Sequence, residues 1–315
     1  MSIKIPILLI TFNRSNHTRR VLREILKQEP LDLYVCQDGP REDNENDRIK
    51  CQEVSDVINE LTSVYSKKNK LFKLHTLYQP KNLGCGPGPA AGITWFFENV
   101  EMGIVMEDDC FPSSTLIAFE AELLERFKDD ERISLITGTN ALSKWRSYRY
   151  DYIFSKTGGM TMGSWASWRR AWKYFDWEIK SWGNSKTKEQ IQKVLGEKKY
   201  VEIAPLYDKI YANPPHDAWD YQWAYARTLH NTYAVVSTVN QMSNIGFGNE
   251  STHTPNVNDR RSNMAIYECR WPLRHHSFKV DKLFDWEMYQ RFERKTRKSL
   301  ALRFLLKMID LVCRR

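Results

Sequence analysis

The chain has no Cys-x-x-Cys pair. Its six cysteines, Cys36, Cys51, Cys85, Cys110, Cys269 and Cys313, are scattered, so neither a structural zinc site nor a disulfide framework is expected. A long apolar run is missing too. The stretch from Met1 to Ile10 is too short for a signal peptide or a membrane span, which points to a cytoplasmic location. Neither the Walker P-loop nor the G-x-G-x-x-G fingerprint occurs, which excludes the usual kinase and dehydrogenase elements. Excess positive charge is absent from most of the length. Of the net +8, residues 291–315 hold +7, nine Lys or Arg against Glu293 and Asp310, leaving +1 for the other 290 residues. A surface that tracks phosphates needs basic residues throughout, so nucleic acid is excluded as a partner of the main body.

What is present describes a globular protein. With 315 residues, 42% hydrophobic and 27% charged, the chain can bury a sizeable core and is neither disordered nor collagenous. The 11 Trp and 15 Tyr suit a carbohydrate-handling cleft, although most such rings simply fill cores.

Through residue 140 the pattern alternates strand and helix. Apolar runs at Ile5 to Phe12, Leu31 to Cys36, Phe72 to Tyr78, Ile104 to Met106 and Ile133 to Ile136 read as buried strands. Helices are expected from Ser15 to Leu26, Asp43 to Lys67, Ile93 to Val100 and Ser114 to Phe127. This order predicts an α/β fold with a mostly parallel, Rossmann-like sheet flanked by helices. Later in the chain, Trp165 to Trp172 reads as an aromatic helix, Lys186 to Lys199 as a polar segment, and another helix starts near His216 to Trp223. A strand is expected at Ala234 to Thr238, then a polar loop from Asn244 to Thr254.

Candidate chemistry collects at the carboxyl ends of the strands, where open α/β sheets bind ligands. The apolar strand Ile104 to Met106 stops on three consecutive acids, Glu107, Asp108 and Asp109. Carboxylates at that edge suit a hard cation such as Mg²⁺ or Mn²⁺, while a lone acidic triplet can equally be a solvated turn. Arg14 lies near the first helix start. Asp38, before Gly39-Pro40, is either a turn former or a nucleotide contact. The stretch Asn82 to Gly92 is Gly-rich, letting backbone near Asn82 and Gly84 approach an anion ahead of a helix. Asp217 and Asp220 form a second acidic pair among aromatics, as site residues or as helix caps. His253 in the later loop is either a ligand or a solvated side chain.

In order, strand-Asn13-Arg14, Gln37-Asp38, Glu107-Asp108-Asp109, Thr139-Asn140, Gly163 to Trp165, Trp219-Asp220 and Gly246 to His253 resemble the GT-A nucleotide-sugar glycosyltransferases, most closely N-acetylglucosaminyltransferase I. The resemblance spans roughly residues 5 to 255. It implies a catalytic domain over 1–285, with a nucleotide-sugar half to 140 and an acceptor half from 141. Arg14 and Asp38 would bind the nucleotide of a UDP-sugar, Glu107 and Asp108 would contact sugar and ribose, and Asp109 would be the metal ligand with His253. Asp220 would be the base. Two adjacent acids stand between tryptophans in the family, whereas Trp219-Asp220-Tyr221-Gln222-Trp223 has one, so Asp217 stays open as an alternative. The implied activity is inverting transfer of GlcNAc or a related hexose to a glycan or lipid-linked acceptor in surface polysaccharide synthesis. Rival readings are a nucleotidyltransferase and a non-catalytic carbohydrate-binding protein.

Residues 286–315 form a basic amphipathic tail. Arg303, Lys307, Asp310 and Arg314 share one face of a helix, with Leu302, Leu305, Leu306, Ile309 and Val312 opposite. Such a helix either docks on the body or lies on an anionic membrane surface, which would make the protein peripheral to the inner face of the cell membrane.

Overall fold

The computed structural model describes residues 3–157, 163–213, 217–248, 259–293 and 300–313. Strand β1 (Ile7–Thr11) is apolar on both sides of its pleat and buried along its length, as expected where helices cover both faces of a sheet. It pairs in parallel with β2 (Asp32–Gln37) on one side and β4 (Met102–Glu107) on the other, and β3 (Lys73–Tyr78) adds to β2. Helices α1 (Ser15–Lys27), α2 (Glu45–Lys68) and α3 (Pro87–Asn99) make the crossovers. Beyond β4 the sheet continues with β8 (Trp165–Trp168), β6 (Ile133–Thr137), β9 (Tyr233–Ser237) and β7 (Tyr152–Ser155), in the order β3-β2-β1-β4-β8-β6-β9-β7. Among the described residues, six of these eight strands run one way; β8 and β7 oppose them. The fold is therefore a mixed α/β sheet flanked by helices, as expected, and the boundary near residue 140 falls inside one continuous sheet.

The period of two along each strand sorts the core into two layers. Leu9, Val35 and Ile104 face Leu22 of α1, Ile58 of α2 and Phe119 of α4 (Leu116–Arg126). Leu8, Tyr34 and Val105 face Phe96 of α3, Trp223 of α8 (Asp220–Leu229) and Phe284 of α9 (Lys282–Met288). A third cluster joins Ile191 of α6 (Ser185–Leu195), Tyr207 and Ile210 of α7 (Glu197–Ala212) and Tyr225 of α8.

Two expectations about local structure are corrected. Trp165 to Trp172 is not one helix: its first four residues form β8, in the middle of the sheet, and α5 (Arg169–Trp172) follows. Every residue of β8 is buried, so the segment has no polar face, and a doubly covered strand then reads like a helix turn. Helix α3 begins at Pro87, six residues before Ile93. Proline is well placed in a first turn because its missing N–H is not needed there. Gly92 belongs to this helix: a Cβ there would lie 2.6 Å from Cys36 Sγ, so α3 packs on β2 through bare backbone.

Helix α10 (Leu300–Cys313) corrects the expected arrangement of the tail. Leu306 and Cys313 are buried against the body, and Arg291 Nη2 donates to Leu306 O and to Asp310 Oδ1, each at 3.0 Å. Asp310, expected on the outer polar face, thus serves the inner side, whereas Leu305 and Val312, expected on one face with Leu306, are exposed. The helix docks, and its apolar residues divide between two faces.

Glu120 of α4 is fully buried and accepts from Gly138 N at 3.1 Å and Ser164 Oγ at 2.8 Å, joining α4 to the ends of two strands. Burial pushes its carboxyl up to about 8, while both hydrogen bonds oppose that shift. The native state therefore keeps a proton that the unfolded chain releases above the ordinary value of 4.5, and stability falls as pH rises through that window. The loss approaches at most about 1.4 kcal/mol per pH unit. Thermal melts of Glu120→Gln and the parent between these pH limits should show a steeper decline in the parent. Parallel curves would remove Glu120 as the cause.

Candidate active site

Three strand ends build the site. β1, β2 and β4 stop in register, and the chain leaving each is tied to its neighbour: Asp38 N donates to Thr11 O and Asp108 N to Ile10 O, both at 3.0 Å. The acids after β4 and the start of α1 after β1 thereby come face to face. Arg14, at the head of α1, reaches Asp109 Oδ2 through Nη1 at 3.2 Å. One turn further, Thr18 Oγ1 donates to Asp108 Oδ2 at 3.3 Å. In the sequence, the only sign of Thr18 in this role is its spacing of four from Arg14.

Asp109 is held from a second direction. Strand β5 (Cys110–Pro112) pairs antiparallel with β10 (Met242–Asn244), placing Asn244 opposite Cys110. Asn244 Nδ2 then donates to Asp109 Oδ1 at 3.2 Å, and Ile245 N to Asp109 O at 2.8 Å. Gly246 closes the cradle. A Cβ at this position would stand 2.0 Å from Asp109 Oδ2, so the carboxylate occupies the space a side chain would take.

The electrostatics are those of crowded acids. Burial, then the charges of Asp109, Asp108 and Asp220, push Glu107 well above the ordinary carboxylate range, and Arg14 opposes them. Burial raises Asp108 to about 7, with Asp109 adding to the shift and Arg14 again opposing. Such a cluster attracts a cation, and its donors can be tested for fit. Ligand atoms of Glu107, Asp109 and Cys110 lie within 4.8 Å of one another. Burial drives the Cys110 thiol far up, and it donates to Asp109 Oδ1 at 3.3 Å. The two carboxylates, Glu107 and Asp109, are a hard oxygen set that fits Mg²⁺ or Mn²⁺.

Asp220 arrives from the other half of the chain. Val105 of β4 pairs with Trp165 of β8, and the Trp165 ring stacks on Trp219 with centroids 5.7 Å apart. The next residue, Asp220, opens α8 close enough for its charge to raise Glu107. Asp217 is exposed and takes the Cys85 thiol at 3.7 Å, on the Gly-rich stretch at the rim.

Asp38, Asn82 and Gly84 do come together, but in one another's service. Asp38 Oδ1 accepts from Gly39 N at 2.9 Å and Leu83 N at 2.8 Å; Oδ2 accepts from Asn82 Nδ2 at 2.9 Å and Gly84 N at 3.1 Å. These four donors match a carboxylate's acceptor capacity, so Asp38 locks this loop instead of offering a free acceptor to a base. A recess of about 210 Å³ lies alongside, lined by Gln37, Asp38, Ser55 and Tyr78 among others. Asn140 is buried and structural, donating to Ser237 O at 2.8 Å. His253 lies outside the described residues.

No family model matches the chain, and no curated protein matches it. Among the solved structures similar to it are two at 9% identity. One is the mannosyltransferase PcManGT from Pyrobaculum calidifontis in complex with GDP-Man and Mn²⁺, over 72% of this chain and 70% of that one, with a TM-score of 0.39. The other is S. aureus TarS 1-349, over 76% of this chain and 59% of that one, with a TM-score of 0.41. Likeness this slight bears no weight for function, and the specific resemblance to N-acetylglucosaminyltransferase I gains nothing from it.

Because Gly246 leaves room for the Asp109 carboxylate, Gly246→Ala should weaken Mn²⁺ binding about tenfold or more with little change in the far-ultraviolet spectrum. Titration followed by electron paramagnetic resonance reads this directly. Unchanged affinity would show that the cradle does not position Asp109.

Proposed function

We propose that this protein is a metal-dependent inverting glycosyltransferase. It moves a sugar, GlcNAc or a related hexose, from a UDP-sugar to a hydroxyl of a glycan or lipid-linked acceptor in surface polysaccharide synthesis. The observation that carries the reading is the placement of two acid groups at one sheet edge: Glu107 and Asp109, fit for a cation, and Asp220 facing them from α8.

Each residue has work in that reaction. Glu107 and Asp109 would hold the cation, which when bound offsets the negative charge of the departing diphosphate. Arg14, now paired with Asp109, supplies a fixed positive charge beside the same phosphates. Asp108 sits behind, its carboxylate held by Thr18, and contacts ribose or sugar at the edge. The rigid loop of Asp38, Asn82 and Gly84 walls the recess for the base, Asp38 acting through the shape it fixes. Asp220 takes the proton from the acceptor hydroxyl as its oxygen attacks the anomeric carbon. A single displacement inverts that carbon. The exposed position of Asp217 favours Asp220 as the base and gives Asp217 a place at the acceptor's entrance.

Labelled UDP- and GDP-sugars, with Mn²⁺ or EDTA, test the reading. Asp109→Asn should abolish metal-dependent turnover while the protein stays folded. Asp220→Asn should still bind nucleotide sugar and metal but transfer about 10²–10⁴-fold more slowly. Full turnover in EDTA, or product that keeps the donor's anomeric configuration, would refute the mechanism. Should Asp217→Asn alone show the slow phenotype, the base passes to Asp217.

A further inference from the structure

Helix α10 presents an unusual outer surface. Phe304 is 69% exposed, Leu311 62% and Val312 62%, with Leu305 and Met308 also exposed. These positions are spaced by one, three, three and one, so they form one continuous apolar stripe. The inner side is already satisfied: Leu306 and Cys313 are buried and Ile309 packs on the same core layer as Phe284 and Met288. The stripe is therefore left over after docking. Solvent would not ordinarily face five large apolar side chains in a row.

Charge decides what covers them. The segment from Arg291 onward carries +7, and Lys307 is exposed on α10 itself. Two copies meeting through this helix would bring together two segments of cation-rich sequence, which disfavours self-association. No helix among the described residues is long and apolar enough to cross a membrane, and the 14 residues of α10 span only about 21 Å. A short helix with an apolar stripe, Lys307 exposed beside it, within a stretch of sequence rich in Lys and Arg, is the form that lies in the plane of a bilayer, apolar side down.

We propose that α10 binds the folded protein to an anionic lipid surface through Phe304, Leu305, Met308, Leu311 and Val312, while its inner face stays docked. The helix is a built-in foot, and removing it would expose core. This inference is independent of the transferase reading.

The test uses the full chain and the variant Phe304→Ser/Leu311→Ser, whose side chains are exposed and whose loss leaves the core packed. Sedimentation with vesicles of phosphatidylcholine and phosphatidylglycerol at low salt should carry down the parent. The variant should bind more than about tenfold more weakly at an unchanged melting temperature. Added salt or pure phosphatidylcholine should also weaken binding. Equal sedimentation of parent and variant, or none by the parent, would overturn the proposal. So would a concentration-dependent dimer in light scattering that the variant abolishes, which would assign the stripe to a second copy.

Discussion

The ion pair between Arg14 and Asp109 is the contact on which the site depends. Four acids, Glu107, Asp108, Asp109 and Asp220, converge on one edge, and Arg14 is the cation that opposes the rise of both Glu107 and Asp108. Like charges so close are costly in a half-buried place. A fold that keeps them carries a standing demand for positive charge, partly met by Arg14 and otherwise available to a divalent ion. On the proposed function, this arrangement would favour a ligand that brings a cation with it.

The sheet pays for that convergence with two unusual pieces of structure. An antiparallel strand, β8, stands between β4 and β6, and its Trp165 carries the stack that sets Trp219 and then Asp220. The small ribbon of β5 and β10 brings Asn244 and Gly246 onto Asp109 from residues more than 130 positions away in the chain. The acids after β4 and Asp220 thus belong to different halves of the sequence and are fixed by main-chain pairing and by aromatic stacking respectively. Distance along the chain is no guide to distance in the site.

Much of this was legible beforehand where a local pattern dictated it. The strand ending in Glu107-Asp108-Asp109 could be read because a doubly covered parallel strand is uniformly apolar until it reaches the edge. The helix with Arg14 at its head followed from the break in that pattern. What could not be read was tertiary in origin. Trp165 to Trp168 is buried on every side, so its sequence has no polar face to reveal the period. For Asp38 the sequence left a turn former and a nucleotide contact both open, and what it could not show is that its acceptors are taken by Gly39, Leu83, Gly84 and Asn82, three of them backbone donors from distant or adjacent loops. The amphipathic character of α10 was visible, but its division into a docked face and an exposed one depends on the core it meets.

The proposed function requires the acidic edge to be a shared seat for a divalent cation and a nucleoside diphosphate. Titrating Mn²⁺ into the protein by electron paramagnetic resonance, with and without UDP, measures it most directly. If Glu107 and Asp109 supply part of the coordination and the phosphates the rest, Mn²⁺ should bind weakly alone and much more tightly once UDP is present. Equal Mn²⁺ affinity in the presence and absence of UDP would contradict the claim.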